Sequence, residues 1–166
     1  MNLYIDDEWY LGGKIFLHSF ATDDSRCSQL WGSWLTRQNV IQSLQLAKNG
    51  MLFIYGPDIG MLERDFNLKI KKNYTCINLL RVFKHLVPNR SSYALADLEE
   101  DYGINRKVKK YKENIFTIYR DFHNHEKRRA VLQYNREDVL NLRELKEIIF
   151  KKHGISKKEL IRMRLK

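Results

Sequence analysis

At 166 residues, 43% hydrophobic and 30% charged, the chain is long enough to bury a core of its own as one domain. Thirty Lys and Arg against twenty Asp and Glu leave a net charge of +10, which favours a polyanionic partner, nucleic acid being the commonest. No apolar run reaches membrane-spanning length, the acidic start MNLYIDDEWY is no secretory signal, and Cys27 and Cys76 lack the paired spacing of a zinc site, so reduced thiols in a cytoplasmic protein are expected.

In chain order, residues 2–5 and 14–21 (KIFLHSFA) read as strands joined through a Gly12–Gly13 turn, the pattern of a hairpin. A third strand is expected within CSQLWGSWL. Thr36 is placed to cap a helix running to Lys48 and closed by Asn49–Gly50. MLFIY, a continuous apolar run before Gly-Pro, has the look of a buried parallel strand. A short helix from Asp58 to Phe66 follows, then a strand at YTCI, a helix over Asn78 to Leu86, and another in YALADLEEDYG closed by Gly103. Beyond Lys112 the pattern is helical, broken near FHNHE and again at Gly154. Antiparallel strands, then alternating helix and strand, then helices alone predict an α/β domain with a central mixed sheet flanked by helices. The division expected is residues 1–153 as the domain and 154–166 as a basic helical tail.

Several acids sit badly in this scheme. Asp6, Asp7 and Glu8 close the first strand, where alternation puts Asp6 and Glu8 on one face and Asp7 on the other. Carboxylates side by side repel unless a cation neutralises them. Asp58 follows the buried strand through its Gly-Pro turn. In LQYNREDVLNL and the residues after it, Tyr134, Asp138, Leu142, Leu145 and Ile149 recur at spacings of 4, 4, 3 and 4, one face of a helix. Asp138 thus interrupts a stripe that should be buried, where an unmatched carboxylate is strongly unfavourable. Each acid also has a plain structural reading: a solvated turn for Asp6 to Glu8, a helix cap for Asp58 and for Asp138.

Basic residues cluster at RKVKKYK (106–112), at EKRR (126–129) and through the tail. Tyr111 lies inside the first cluster, in reach of a stacking base. Arg106, Lys107, Lys109, Lys110 and Tyr111 are therefore expected to face nucleic acid. His123 and His125 read as surface residues.

Taken together, YIDDE, YGPDIGMLE and YNREDVLNL resemble the three motifs of the DEDD exonuclease superfamily, tyrosine subclass, on the ribonuclease H-like fold. Asp6 and Glu8 match its Asp-x-Glu motif; Asp58, with Ile59 and Leu62, matches the second; Tyr134 and Asp138 match Tyr-x-x-x-Asp. SSYALADLEEDYGINR resembles the segment such exonucleases carry before the third motif, and the likeness spans roughly residues 3–150. Asp7 stands where the family is usually apolar, and Asp58 lacks the Asn-Gly or His-Asn lead common in relatives.

The resemblance implies a 3′-to-5′ exonuclease acting on single-stranded or frayed DNA or RNA ends by two-metal phosphodiester hydrolysis. Asp6, Glu8, Asp58 and Asp138 would be the metal ligands and Tyr134 would orient water. Four carboxylates brought together call for about two divalent cations, and hard oxygen donors select Mg²⁺ or Mn²⁺. Trp9 and Tyr10, just past the first motif, are expected at the terminal nucleotide. Two other readings compete: a structure-specific endonuclease, and a catalytically silent nucleic-acid-binding module. A protein partner or a homo-oligomer would supply targeting.

Overall fold

The computed structural model describes residues 1–166 apart from Leu11, Ser25, Lys112 and Glu113. Its strands are β1 (Leu3–Trp9), β2 (Ile15–Thr22), β3 (Ser28–Trp31), β4 (Met51–Ile54) and β5 (Thr75–Asn78), in the order β3-β2-β1-β4-β5. The first three form an antiparallel meander, whereas β1, β4 and β5 run parallel. The Gly12–Gly13 turn closes the hairpin, both glycines taking φ near +100° (109° and 96°), a region open to residues without a Cβ.

Helices cover both faces. On one side lie α1 (Arg37–Gln45), α2 (Asp58–Phe66) and α3 (Ile70–Asn73), burying Val40, Leu44, Ile59, Leu62 and Ile70 against Leu3, Ile5, Leu52 and Ile54. On the other lie α4 (Leu79–Leu86), α5 (Leu95–Asp101), α7 (Arg128–His153) and α8 (Lys157–Arg162), packed on Tyr4, Phe53 and Ile77. Helix α6 (Ile115–His123) joins the start of α7 over the outer part of β2, through Ile118, Phe122, Val131 and Leu17. The alternation of β1 therefore feeds two separate cores, odd residues to one and Tyr4 to the other.

The expected mixed sheet and helical C-terminal part are present, with differences at element ends. β1 runs to Trp9 because its acids pair in register with β2, Asp6 opposite Ser19 and Glu8 opposite Leu17, before a bulge at Glu8/Trp9. β3 stops at Trp31, where Gly32 enters φ +56° and a 3₁₀ turn follows (Gly32–Trp34). Thr36 does cap α1, accepting from the Asn39 amide, but the helix ends at Gln45 instead of Lys48. Gly154 closes α7 in the left-handed region, and a Ser156/Glu159 capping box starts α8. The tail is folded onto the domain: Leu160 is buried in the α7 core, and the Leu165 amide donates to the Cys76 carbonyl at 2.9 Å, on the edge strand β5. Cys27 and Cys76 are buried free thiols. No helix among the described residues is long and apolar enough to cross a membrane.

Candidate metal centre

Alternation along β1 points Asp6 and Glu8 at the face crossed by α7, while Asp7 continues the opposite face of Leu3 and Ile5. Helix α7 delivers Asp138 to the same place, and one carboxylate oxygen from each of Asp6, Glu8 and Asp138 lies within 4.8 Å of the others. Glu8 and Asp138 are buried and Asp6 is half-buried, so the cluster meets solvent at Asp6. The plain readings give way here. The strand runs through Asp6 to Glu8, and Asp138 sits in the middle of a 26-residue helix, not at its cap.

Asp58 arrives from the sheet's other side, at the first position of α2, where Pro57 occupies the cap. It is not one of the three acids whose oxygens converge within 4.8 Å. Its Oδ1 accepts the Asp7 amide at 3.3 Å, and its Oδ2 is buried with no hydrogen-bond partner. Burial, then repulsion from Asp7, pushes the Asp58 carboxyl up to about 8. Asp6 and Glu8 are raised well above the carboxylate range, first by burial and then by Asp138, with Asp58 adding to both. Burial lifts Asp138 to about 7 even though the Arg106 guanidinium opposes it. All four carboxyls are thus held above their ordinary range, burial being the first cause in each case.

One further neighbour of the acids comes from α7. Asn135 Nδ2 donates to Asp6 Oδ2 at 2.5 Å and reaches Glu8 Oε1 at 3.5 Å. Its Oδ1 accepts from the Ser19 hydroxyl, and Gln29 Nε2 donates to Ser19 Oγ at 3.1 Å and to the Leu132 carbonyl at 2.9 Å. This chain sets the amide's orientation, so that its donors aim at the two β1 acids. Asn135 shares the stripe Val131, Asn135, Asp138, Leu142. The signal that singled out Asp138, a polar residue on an apolar face, applied to it equally.

Tyr134, one turn before Asp138, is partly buried, and its phenol lies near enough to Asp138 to oppose the rise that burial imposes on that carboxyl. Burial and then the charge of Asp138 hold the phenol above its ordinary value, so it remains a donor at neutral pH. The Arg106 guanidinium lies 5.0 Å from its ring centroid.

Residues 3–150 match the family model of the RNase H superfamily. The chain belongs to that superfamily. No curated protein matches it. Members of the RNase H superfamily are usually nucleases and typically use divalent metals, so the acidic cluster lies on a nuclease-type fold. The residues present suit such an ion: every donor is a carboxylate oxygen, three of them converge, and Asp58 Oδ2 is a buried acceptor without a partner. An all-oxygen set of this kind fits a hard divalent cation.

Within this RNase H-like frame, the expected nucleic-acid contacts divide. Arg106 is buried, not displayed: its guanidinium takes both oxygens of Glu99 (2.7 and 2.6 Å) and Asp138 Oδ1 at 2.5 Å. Tyr111 is buried too, its hydroxyl donating to Asp121 at 3.0 Å, so it offers no face to a base. Both belong to the domain's interior because the loop before α6 folds under, its Lys107 and Val108 amides donating to the buried Glu137. Lys107, Lys109 and Lys110 are exposed, Lys110 reaching Asp121 at 2.6 Å; Lys112 lies outside the described residues. Trp9 is partly buried against the α1–α2 layer. Tyr10 is exposed, and its ring packs 4.1 Å from that of Tyr119, which in turn meets His123 at 4.3 Å. His123 and His125 are both exposed, as expected.

Asp7, the residue out of pattern, has a place of its own. Its carboxylate meets His18 Nδ1 at 2.6 Å, and His18 Nε2 meets Ser43 Oγ at 2.9 Å, all three buried. The order Asp-His-Ser is that of a hydrolytic triad, but no substrate reaches a serine 3% exposed whose hydroxyl is spent on the Val40 carbonyl. The trio fixes β1 against α1 and carries the Asp7 amide to Asp58.

Proposed function

We propose that the chain is a metal-dependent 3′-to-5′ exonuclease of the tyrosine subclass, hydrolysing phosphodiester bonds at single-stranded or frayed nucleic-acid ends. The observation that carries this reading is the meeting of Asp6, Glu8 and Asp138 with the Tyr134 hydroxyl one turn away on the same helix. Asp58 completes the set of four acids from the side of α2. Mg²⁺ or Mn²⁺ bound to these carboxylates would supply Lewis acidity to the phosphodiester and its attacking water.

The chain's own groups do the rest. Tyr134 keeps its proton and presents it as a donor, which suits it to orient a water, not to deprotonate one. Asn135 holds Asp6 and Glu8 in one arrangement, and the Asp7 amide does the same for Asp58. The Tyr10–Tyr119 pair offers an aromatic face beside the first motif on which a terminal base stacks without regard to sequence. Exposed Lys107, Lys109 and Lys110 supply phosphate contacts.

One observation favours a second reading. Arg106 neutralises Asp138 without any metal, as a domain retained only for binding would allow. End-labelled DNA and RNA oligonucleotides incubated with Mn²⁺ and with EDTA separate the two. Mn²⁺-dependent release of mononucleotides from the 3′ end is expected. Tight binding without cleavage at any metal concentration would establish the silent module instead.

A further inference from the structure

The basic tail belongs to no part of the site described so far, yet it is anchored to the domain. Leu160 sits in the core, Met163 packs against the same cluster, and Leu165 hydrogen-bonds the edge strand β5. These anchors leave the residues between them facing outward: Arg162, Arg164 and Lys166 are exposed. Beside them opens a cavity of about 700 Å³ whose basic lining is Lys71, Arg81, Arg162, Arg164 and Lys166, with no acidic side chain in its wall. Its other wall includes Gly56 and Pro57, the two residues before Asp58.

Three elements distant in sequence, α3, α4 and the tail, thus bring five cations to one groove. Lys71 is engaged by Glu63 at 3.4 Å. Arg81, Arg164 and Lys166 have no ion-pair partner among the described residues. A second cavity, of about 420 Å³, continues the charge past the start of β5, adding Lys48 and Lys72 to Lys71, Arg164 and Lys166. The result is a stripe along the sheet edge, one end of it at the turn that supplies Asp58. Like charges fixed together repel, by the argument that applied to the acids, and a polyanion relieves them.

We propose that this groove, between the Gly56–Pro57 turn, Arg81 and the C-terminal tail, is a second nucleic-acid contact that holds the sugar-phosphate backbone away from the reacting end. The proposal rests on the reading of the acidic cluster as a phosphodiester site. An elongated stripe suits a chain of phosphates better than a single anion. The main cavity has no aromatic ring in its lining, so it senses backbone charge and not base identity. It also has no broad apolar surface of the kind a membrane-inserting face would present.

The test is the triple variant Arg81→Gln, Arg164→Gln, Lys166→Gln, which leaves Leu160, Met163 and Leu165 in place. Binding of a fluorescein-labelled single-stranded 20-mer is measured by anisotropy in EDTA across a salt series. Hydrolysis of thymidine 5′-p-nitrophenyl phosphate with Mn²⁺ is measured beside it, since this ester is too small to reach the groove. The expected result is a loss of affinity of about 10-fold or more, a log–log salt slope shallower by about 2, and ester hydrolysis at the wild-type rate. Unchanged 20-mer affinity with ester hydrolysis intact overturns the groove and leaves the exonuclease reading standing. Loss of 20-mer affinity in a protein whose wild type cleaves neither the ester nor end-labelled oligonucleotides with Mn²⁺ supports the groove and overturns the exonuclease. Wild-type binding to phosphatidylserine vesicles that the triple variant loses, with 20-mer affinity unchanged, also overturns the proposal. Should the triple variant not reach the wild-type melting temperature, Arg81→Gln alone, on α4, is measured by the same criteria, with a proportionately smaller loss expected.

Discussion

Replacing Asp58 with Asn should stabilise the metal-free protein, and increasingly so as the pH rises. The Asp58 carboxyl is 1% exposed, one oxygen accepts the Asp7 amide, and the other has no partner. Burial, then Asp7, moves it from 3.8 up to about 8. In the unfolded chain the same group titrates near ~3.9. Since the folded value is the higher one, between about pH 4 and about pH 8 the folded protein binds a proton the unfolded chain has released. Stability is therefore lost as pH rises through that window, at up to about 1.4 kcal/mol per pH unit, and the loss levels off above it. At pH 7 the ceiling is about 4 kcal/mol.

Asparagine needs no proton and escapes this cost, but its buried amide donor returns about 1–3 kcal/mol if it finds no acceptor. The net gain is then about 1–3 kcal/mol near neutrality, worth about 2–4 °C in Tm per kcal/mol for a chain of this size. Thermal melts in EDTA at about pH 4, 6 and 8 read it directly. The Asn variant should show no advantage at the lowest pH and its largest at the highest, while saturating Mn²⁺ should reverse the order. An offset between the two proteins that does not grow with pH, or an Asn variant less stable at about pH 8 in EDTA, would refute the reasoning.

The other variants probe separate parts of the same geometry. Tyr134→Phe should leave Mn²⁺ binding intact and lower the cleavage rate by about 10²-fold, since only a water-orienting hydroxyl is lost; cleavage at the wild-type rate removes the tyrosine from the mechanism. Asn135→Ala frees Asp6 and Glu8 from their shared donor and should weaken Mn²⁺ binding by about 10–100-fold, as loss of a group that positions a ligand does, read from the metal dependence of Tm. An oligonucleotide blocked at its 3′ end should resist digestion while a 5′ block has no effect; equal digestion of both would mark an endonuclease.

The parts of the fold that were legible are those where local chemistry and tertiary structure agree. Gly12–Gly13, Thr36, Gly103 and Gly154 end or begin elements through backbone preferences that act within a few residues. The stripe through Asp138 is a periodicity, and it survives folding because α7 buries that face against the sheet. Residues 106–111 misled for the converse reason. Composition reports charge but not the side of the backbone a loop presents, and Arg106 and Tyr111 turned inward to partners 7 and 10 residues away. The α7 side of the site was half hidden: Asn135 was visible by spacing, but Ser19 and Gln29 hydrogen-bond across 116 and 103 residues of chain, to Asn135 and the Leu132 carbonyl. No local pattern marks them.

Three successive acids on one strand also raise the question of how much negative charge the site carries. Asp7 stands apart from that count, its carboxylate facing His18, which also meets the Ser43 hydroxyl at 2.9 Å. His18 Nδ1 lies 2.6 Å from the Asp7 carboxylate, both groups being buried. The imidazole opposes the rise that burial imposes on the Asp7 carboxyl. On the other face, Arg106 grips Glu99 with two hydrogen bonds. Arg106 also bonds Asp138, so one cation is shared by two acids, and Asp6, Glu8, Asp58, Asp138, Glu99 and Arg106 together carry four net negative charges when ionised, which two divalent cations match and one does not. The residues that looked out of place, Asp7 in the first motif and Arg106 in the basic run, each have buried partners: His18 for the one, Glu99 and Asp138 for the other.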